Sequence, residues 1–503
     1  MPRDVILSPL TSAWSVRPTL RDLAPGDPLS SVLVAPVGSG PDGDAAARDA
    51  LEAVGADAAV LLATHEPSAT AGSVTTVPLP PGTATVRRVI LVGTDDGTPA
   101  AWRTAGAAVG RATRDRGEVV HAVGGSAPAG ALAGYVESVV LASWASPRFT
   151  REGAVAGCAP AVSAVVTGTG DAEAVDRAVV RARAQLVARS LAATPSNTKS
   201  PAWLAGRART LARRTGLEVQ VWDERRLRAG GFGGILAVGQ GSATPPRLVR
   251  LDHEPPGATG STPRVVLVGK GITFDTGGLQ VKPVDGMLGM KTDMSGAAIV
   301  LAVLSACREL EVPVRVTGLL AIAENAFGGG SYRPGDVITH YGGRTVEIGN
   351  TDAEGRLVMA DALAYADAEL DPTWLVDIAT LTGAARIALG RSVAPVFSTH
   401  AGLRDALVTA GATTGETLWP MPLPDTYRRA LDSDVADLNH ISAGGGPGAV
   451  TAALFLREFV GERRWAHLDI AGTGRSDVDA GVSAKGATGF GTRLLLRWLE
   501  EMA

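Results

Sequence analysis

Short apolar runs and longer amphipathic stretches take turns along this chain. SSVLVAPVG (from Ser30) and VRRVILVG (from Val86) are short, rich in β-branched residues and closed by glycine, which predicts strands. DAAARDALEAV (from Asp44) and AAWRTAGAAVGRATRD (from Ala100) carry apolar residues at helical spacing. DAEAVDRAVVRARAQLVARSLAAT (171–194) has no Gly or Pro and predicts one long helix, stopped by the breaker cluster TPSNTKSP. The alternation then resumes with PRVVLVGKG, SGAAIVLAVLSACREL (capped by Ser295), VPVRVTGLLAIAE, WLVDIATLTG and WAHLDIAG. Such alternation predicts an α/β fold. The expected division is an N-terminal α/β domain over 1–168, a linker helix over 169–194, and a larger α/β domain over 195–503 on a central, mostly parallel sheet. The tracts GGFGG, FGGGS and SAGGGPGA predict loops.

Polar positions that interrupt the pattern raise the functional question. In GNTDAEGRLVMADALAYA, from Gly349, the charges Asp352, Glu354 and Arg356 fall at every second position before an apolar run starts at Leu357. One reading is a helix start. Thr351 and Glu354 fit the S/T-x-x-E capping box, and acids suit the positive end of a helix dipole. The other reading is a site, in which an extended segment shows alternate side chains to one face.

Composition narrows the classes. Net charge is -4 over 503 residues, which argues against a general nucleic-acid-binding surface. The two cysteines, Cys158 and Cys307, make no disulfide framework or CxxC pair and read as small buried hydrophobes in a reducing compartment. MPRDVILSPLTSAW has an early acid and no apolar core of a secretory signal, and AAIVLAVLSAC falls short of the ~20 residues of a membrane helix. A cytoplasmic protein with no membrane partner is expected.

Lys and Arg total 47, yet only Lys199, Lys270, Lys282, Lys291 and Lys485 are lysines, three of them between 270 and 291. Lysine kept against an arginine bias points to places where guanidinium will not serve, because lysine can lose its proton and arginine effectively cannot. VGKGITFDTGG (268–278) fails the phosphate-loop template, having Arg264 and Gly271 where Gly and Ser or Thr are needed. It leaves Lys270 at a strand end and Asp275 on a Gly-rich turn, where sites form in open α/β sheets. MKTDMSGAA adds Asp293, and QVKPVDG adds Lys282. Asp275, Asp293, Asp352 and Glu354 could not all stay ionised when buried without countercharge, and two divalent cations would balance them. Oxygen donors suit Mg or Mn; a neutral amine donor shifts the preference toward Mn, Co or Zn. No HExxH motif exists among the seven histidines, and His467 reads as a packed strand residue.

NTDAEGRL (350–357), with VGKGITFDTGG, MKTDMSGAA, YRPGDV, DIATLTGA and WAHLDIAG, resembles the leucyl aminopeptidase family, the M17 cytosol aminopeptidases. The resemblance covers the chain from about Pro195 onward. It implies that Lys270, Asp275, Asp293, Asp352 and Glu354 hold two metal ions, Asp275 and Glu354 bridging them and Lys270 binding as a neutral amine. It implies that Lys282 stays an ammonium and stabilises the tetrahedral intermediate. Arg356 would hold a bicarbonate that acts as general base toward a metal-bridged water. Met290, Thr380, Leu381 and Gly383 would lie near the pocket for the first side chain, and Met290 suits an adaptable apolar wall. The implied reaction removes an N-terminal residue, broadly but with a Leu-like preference, from peptides and amino-acid amides. The implied assembly is a homohexamer. Thr276, where serine is more usual, Gln280 and the glycine-rich NHISAGGGPGA depart from the pattern. The alternatives are a non-peptidase two-metal hydrolase such as a phosphoesterase, which carboxylate pairs alone would allow, and a regulatory or DNA-binding relative, for which RARTLARR (207–214) is too short to speak.

Overall fold

The computed structural model describes residues 13–17, 32–40, 42–80, 86–114, 118–128, 130–151, 153–155, 163–169, 171–442 and 444–502. Backbone contacts divide the chain into two units: 1–186 with 477–485, and 187–476 with 486–503. The helix Ala172–Ala193 contains the boundary. Cys158 lies outside the described residues; Cys307 is buried, its thiol donating to the Val303 carbonyl.

In the first unit the strands Ala13–Arg17, Ser163–Thr167, Glu118–His121, Val32–Gly38 and Arg88–Asp95 run parallel in that order, and Val74–Pro78 closes one edge antiparallel. Adjacent residues of a strand face opposite sides. Val32 and Val34 therefore pack with Trp102, Val109 and Tyr135 on one face, while Leu33, Ala35 and Val37 pack with Ala47, Leu51 and Leu62 on the other. A sheet covered on both faces explains why its strands read as continuous apolar runs.

The second unit holds an eight-stranded sheet in the order Leu418–Pro420, Ala394–Ser398, Trp465–Asp469, Trp374–Ala379, Arg264–Asp275, Arg315–Asn325, Arg247–His253, Glu218–Trp222. The four strands from Trp465–Asp469 to Arg315–Asn325 are mutually parallel, with antiparallel pairs at both flanks. Their carboxyl ends bring Asp469, Thr380, Asp275 and Asn325 to one edge, where α/β sheets place their sites.

Two details aim residues at that edge. Lys270 and Asp275 are an odd number of residues apart, so a regular strand would point them to opposite faces. The register against the neighbouring strand slips by one residue between Ile272 and Asp275, so Lys270 and Asp275 pair with Ala321 and Asn325, which share a face. The helix Ser295–Ala306 also crosses its strand very closely. A Cβ on Gly296 would lie 2.1 Å from the Ile378 carbonyl oxygen and 2.7 Å from the Lys270 nitrogen.

The structure corrects some local expectations. The helix Ser295–Ala306 is preceded by Met294 with no side-chain cap; Ser295 lies inside it, and its hydroxyl donates to the Thr292 carbonyl. GGFGG is not wholly loop, because the helix Gly233–Gly239 starts within it. Taken together, Val284–Ala306 reach the length and apolarity of a membrane span, but the turn Met290–Thr292 breaks them and 78 % of the most apolar window is buried in the domain.

Gly296→Ala should cost about 3 kcal/mol of stability, because the overpacked methyl meets backbone that cannot yield. A urea titration comparing this variant with Gly286→Ala, whose Cβ would lie at ordinary contact distance from Pro283, checks it.

Candidate metal centre

The strand Arg264–Asp275 carries Lys270 into the interior, where its side chain is 3 % exposed. Lys270 Nζ lies 2.8 Å from Asp293 Oδ2 and 2.9 Å from Glu354 Oε1, and it donates to the Thr380 carbonyl at 2.9 Å. Room for its stem comes from Gly355, where a Cβ would sit 2.5 Å from Lys270 Cε. Lys282 Nζ reaches Asp275 Oδ2 at 2.8 Å and Asp352 Oδ1 at 2.5 Å. The structure thus gathers Lys270, Lys282, Asp275, Asp293, Asp352 and Glu354 from four separate chain segments. Ligand oxygens of Asp275, Asp293 and Glu354 all lie within 4.8 Å of one another, close enough to share a cation.

Each acid is held by a different device. Asp275 Oδ1 accepts from the Gly277 amide at 2.9 Å and from Asn325 Nδ2 at 2.8 Å. Asp293 Oδ1 accepts from the Thr380 hydroxyl at 2.7 Å. The Asp352 amide donates to Asn350 Oδ1 at 2.8 Å, and Ala353 N donates to the Asn350 carbonyl, so residues 350–353 form a tight turn. The expected extended segment is therefore wrong. The expected capping box is wrong as well. The helix Glu354–Leu370 follows Ala353 without a side-chain cap, and the Thr351 hydroxyl is engaged elsewhere, donating to the Gly277 carbonyl and accepting from Gln280 N. Site geometry took precedence over a cap because Thr351 ties the Asp275 turn to the Asp352 turn.

The electrostatics fit a site built for cations. Burial, reinforced by Glu354, pushes Asp275 up to about 6 against the pull of Lys282 and Lys270. Burial also raises Asp293 well above the carboxylate range, with Glu354 and Asp275 adding to it and Lys270 opposing. Burial raises Asp352 despite Lys282. Burial opposes the charge on Lys270, but Asp293, Glu354 and Asp275 outweigh it and hold the ammonium. Lys282 behaves in the same way through Asp275 and Glu354. Oxygens Asp293 Oδ2, Asp352 Oδ1 and Glu354 Oε1 are met by these lysines and, among the described residues, by no other donor. Three mutually close carboxylates, an adjacent amine and under-used oxygens suit divalent metals with oxygen and nitrogen donors.

Arg356 is buried in the first turn of the helix Glu354–Leu370, its Nη1 donating to the His440 carbonyl at 2.7 Å. Burial draws its pKa down to about 10, with Glu354 and Asp469 opposing. Thr380 belongs to the charged cluster through both its carbonyl and its hydroxyl. Leu381 is half-buried against the domain core, and Met290 is half-buried in the turn leading to Asp293. Gly383 opens the helix Gly383–Leu389, and a Cβ there would meet open space. His467 is buried against Asp377, Nδ1 to Oδ1 2.6 Å, as a packed strand residue.

Sequence reasoning missed Asn325, Asp469 and His440. Asn325 also donates to the Thr351 carbonyl, at 3.0 Å. Asp469 accepts from the amides of Leu381 and Thr382 and from the Thr382 hydroxyl at 2.6 Å, fixing the loop that carries Thr380. The only signal for Asn325 and Asp469 was polarity at the ends of buried strands, in LLAIAEN and WAHLDIAG; His440, in NHISAGGGPGA, gave none.

Residues 186–496 match the catalytic domain of the cytosol aminopeptidase family, and residues 34–152 match the N-terminal domain of that family. The chain belongs to the cytosol aminopeptidase family. It is a metal-dependent aminopeptidase, a hydrolase. It is 44 % identical to a probable cytosol aminopeptidase of Micrococcus luteus, over 97 % of this chain and 99 % of that one. A probable cytosol aminopeptidase of Desulfovibrio desulfuricans is 52 % identical over 62 % of each chain. Among solved structures, the bottromycin maturation enzyme BotP in complex with Mn superposes with a TM-score of 0.82 at 35 % identity, over 94 % of this chain and 99 % of that one.

Metal should stabilise this aminopeptidase more as pH rises. Asp275, raised to about 6, binds its proton more tightly folded than unfolded. The metal-free chain therefore gains stability from it at low pH and loses that gain as pH rises through about 6. Cations require the ionised carboxylates and compensate the loss. The rise in Tm on replacing chelator with Mn should be larger at pH ~7.5 than at pH ~5, by thermal unfolding.

Proposed function

We propose that this aminopeptidase removes N-terminal residues, broadly with a preference for Leu-like side chains, from peptides and amino-acid amides. The observation that carries the reading is the pairing of two lysines with four carboxylates, Lys270 among Asp293 and Glu354, Lys282 between Asp275 and Asp352. A phosphoesterase has no need of a buried amine there.

Lys270, Asp275, Asp293, Asp352 and Glu354 would hold two divalent ions. Mn is favoured, since a relative of 35 % identity was solved with it, and Zn or Co also suit the donors. When bound, the pair supplies a water of lowered pKa and a Lewis acid for the scissile carbonyl. Lys270, fully buried, would give up its proton to serve as an amine donor to a cation, because burial disfavours its charge once the carboxylates that oppose burial are engaged. Lys282, freed from its two acids in the same way, keeps its charge and donates to the oxygen that becomes negative as the carbonyl is attacked. Arg356 presents a planar fork suited to a bicarbonate, which would supply the general base. Asp469 and Thr380 keep the pocket loop in register with the charged cluster. The half-buried Met290 and Leu381 and the open position at Gly383 favour unbranched or γ-branched apolar side chains.

A homohexamer in the cytoplasm completes the proposal. Its support is the exposed apolar stretch around Lys282, where Val281, Val284 and Leu288 are 52 %, 77 % and 72 % exposed. Light scattering on the purified protein distinguishes hexamer from monomer.

Leucine anilide should be hydrolysed with Mn present and not after chelation, and a folded, Mn-loaded chain without that turnover overturns the reading. Lys282→Ala should lower kcat about a hundredfold or more with both metals retained. Arg356→Ala should slow turnover about a hundredfold, again without metal loss. Lys270→Arg should lose about one of the two metals, because guanidinium has no lone pair to donate; metal content by atomic absorption checks all three variants.

A further inference from the structure

The proposed mechanism uses two of the five lysines; of the other three, Lys485 is exposed, and Lys199 and Lys291 are unexplained. Lys199 is fully buried in the segment between the helices Ala172–Ala193 and Pro201–Thr215. Its Nζ donates to the Ala192 carbonyl at 2.9 Å and to the Lys291 carbonyl at 2.5 Å. Lys291 reciprocates, its Nζ donating to the Ala193 carbonyl at 3.1 Å. Two lysine nitrogens thus cap the last carbonyls of one helix, and one of them also grips the turn Met290–Thr292. Two carbonyls converge on one nitrogen at Lys199, which suits a compact amine better than a planar fork.

The turn is short and leads directly to the site. Met290 precedes Lys291, and Asp293 follows two residues later. Asp293 N donates back to the Met290 carbonyl at 3.2 Å, and Thr292 N and Oγ1 both donate to the Gly289 carbonyl. These bonds make the turn internally stiff but do not anchor it. The Lys291 carbonyl is the point at which the buried Lys199 holds the centre of the turn, while the Thr380 hydroxyl and Lys270 hold Asp293 beyond its end. A stiff turn pinned at its centre passes any displacement to both of its ends.

The geometry points to Lys199 as a positioning residue: by clasping the Lys291 carbonyl it fixes Asp293 for cation binding and Met290 for the first side chain of the substrate. This inference rests on the proposed roles of Asp293 and Met290. It predicts a signature that a plain helix cap lacks, because disturbing the clasp affects one metal and one side-chain contact, not overall catalysis.

The test uses the full chain with Lys199→Met, which fills the volume without donating, and the milder Lys291→Met, with Lys291→Arg as the conservative control that still reaches the Ala193 carbonyl. Mn titration by calorimetry should show one of two sites weakened about tenfold in Lys199→Met, less in Lys291→Met, and unchanged in Lys291→Arg. Hydrogen exchange on the metal-free proteins should speed up at residues 289–293 and not across the sheet. With leucine and alanine anilides, KM should rise about tenfold for leucine and little for alanine, with kcat nearly kept. Unchanged Mn affinity and unchanged exchange at 289–293 in Lys199→Met, or a fall in Tm as its only effect, overturns the clasp. If Lys199→Met does not fold, Lys199→Gln, which keeps a donor on a shorter stem, is judged by the same two measurements in its place. If wild type binds two Mn ions but cleaves no anilide, the proposed reaction fails while calorimetry and exchange still judge the clasp.

Discussion

Repulsion among buried carboxylates is the constraint on which this molecule is organised. Asp275, Asp293 and Glu354 are almost fully buried within one small volume, and Asp352 stands beside them. No fold tolerates that arrangement as bare negative charge. In the metal-free chain Lys270 and Lys282 supply the countercharge, and the acids they do not satisfy are driven toward protonation. Divalent cations answer the same demand more completely. The site is thus a store of unfavourable electrostatics that cation binding relieves, and it survives because the rest of the second unit is strongly overdetermined.

That overdetermination is visible in the backbone. Four parallel strands end at one edge, and three of the ends contribute a polar residue that holds another in place: Asn325 to Asp275, Thr380 to Asp293, Asp469 to the loop after Thr380. Gly296 and Gly355 let helices approach Lys270 where any side chain would collide. Gln280 and Thr351 bond to each other twice, joining the turns that carry Lys282 and Asp352. Gln280, a departure from the usual pattern, is therefore a working part of the frame, as is Thr276, whose hydroxyl donates to the Asn325 carbonyl.

Much of the fold was legible in the chain because burial on both faces of a sheet writes continuous apolar runs, and the strands at Val32, Arg88, Arg264, Arg315, Trp374 and Trp465 all announce themselves this way. The local signals that misled were those with two physical uses. Thr351 and Glu354 spell a capping box, and Ser295 spells an N-cap, but a hydroxyl bonds whichever partner the tertiary structure brings closest. Asn325 and Asp469 were silent because a polar residue at a strand end looks the same whether it faces water or a neighbour.

The sequence by itself determined the α/β class, the family signature, and the set of carboxylates and lysines that carry charge, because composition and periodicity need no knowledge of distant contacts. Only the tertiary structure decided which acid meets which lysine. The one-residue slip after Ile272 turns Asp275 to the face of Lys270 and Asn325, and nothing in the spacing of Lys270 and Asp275 reveals it. Register is a property of two strands together, and so are the pairings that depend on it.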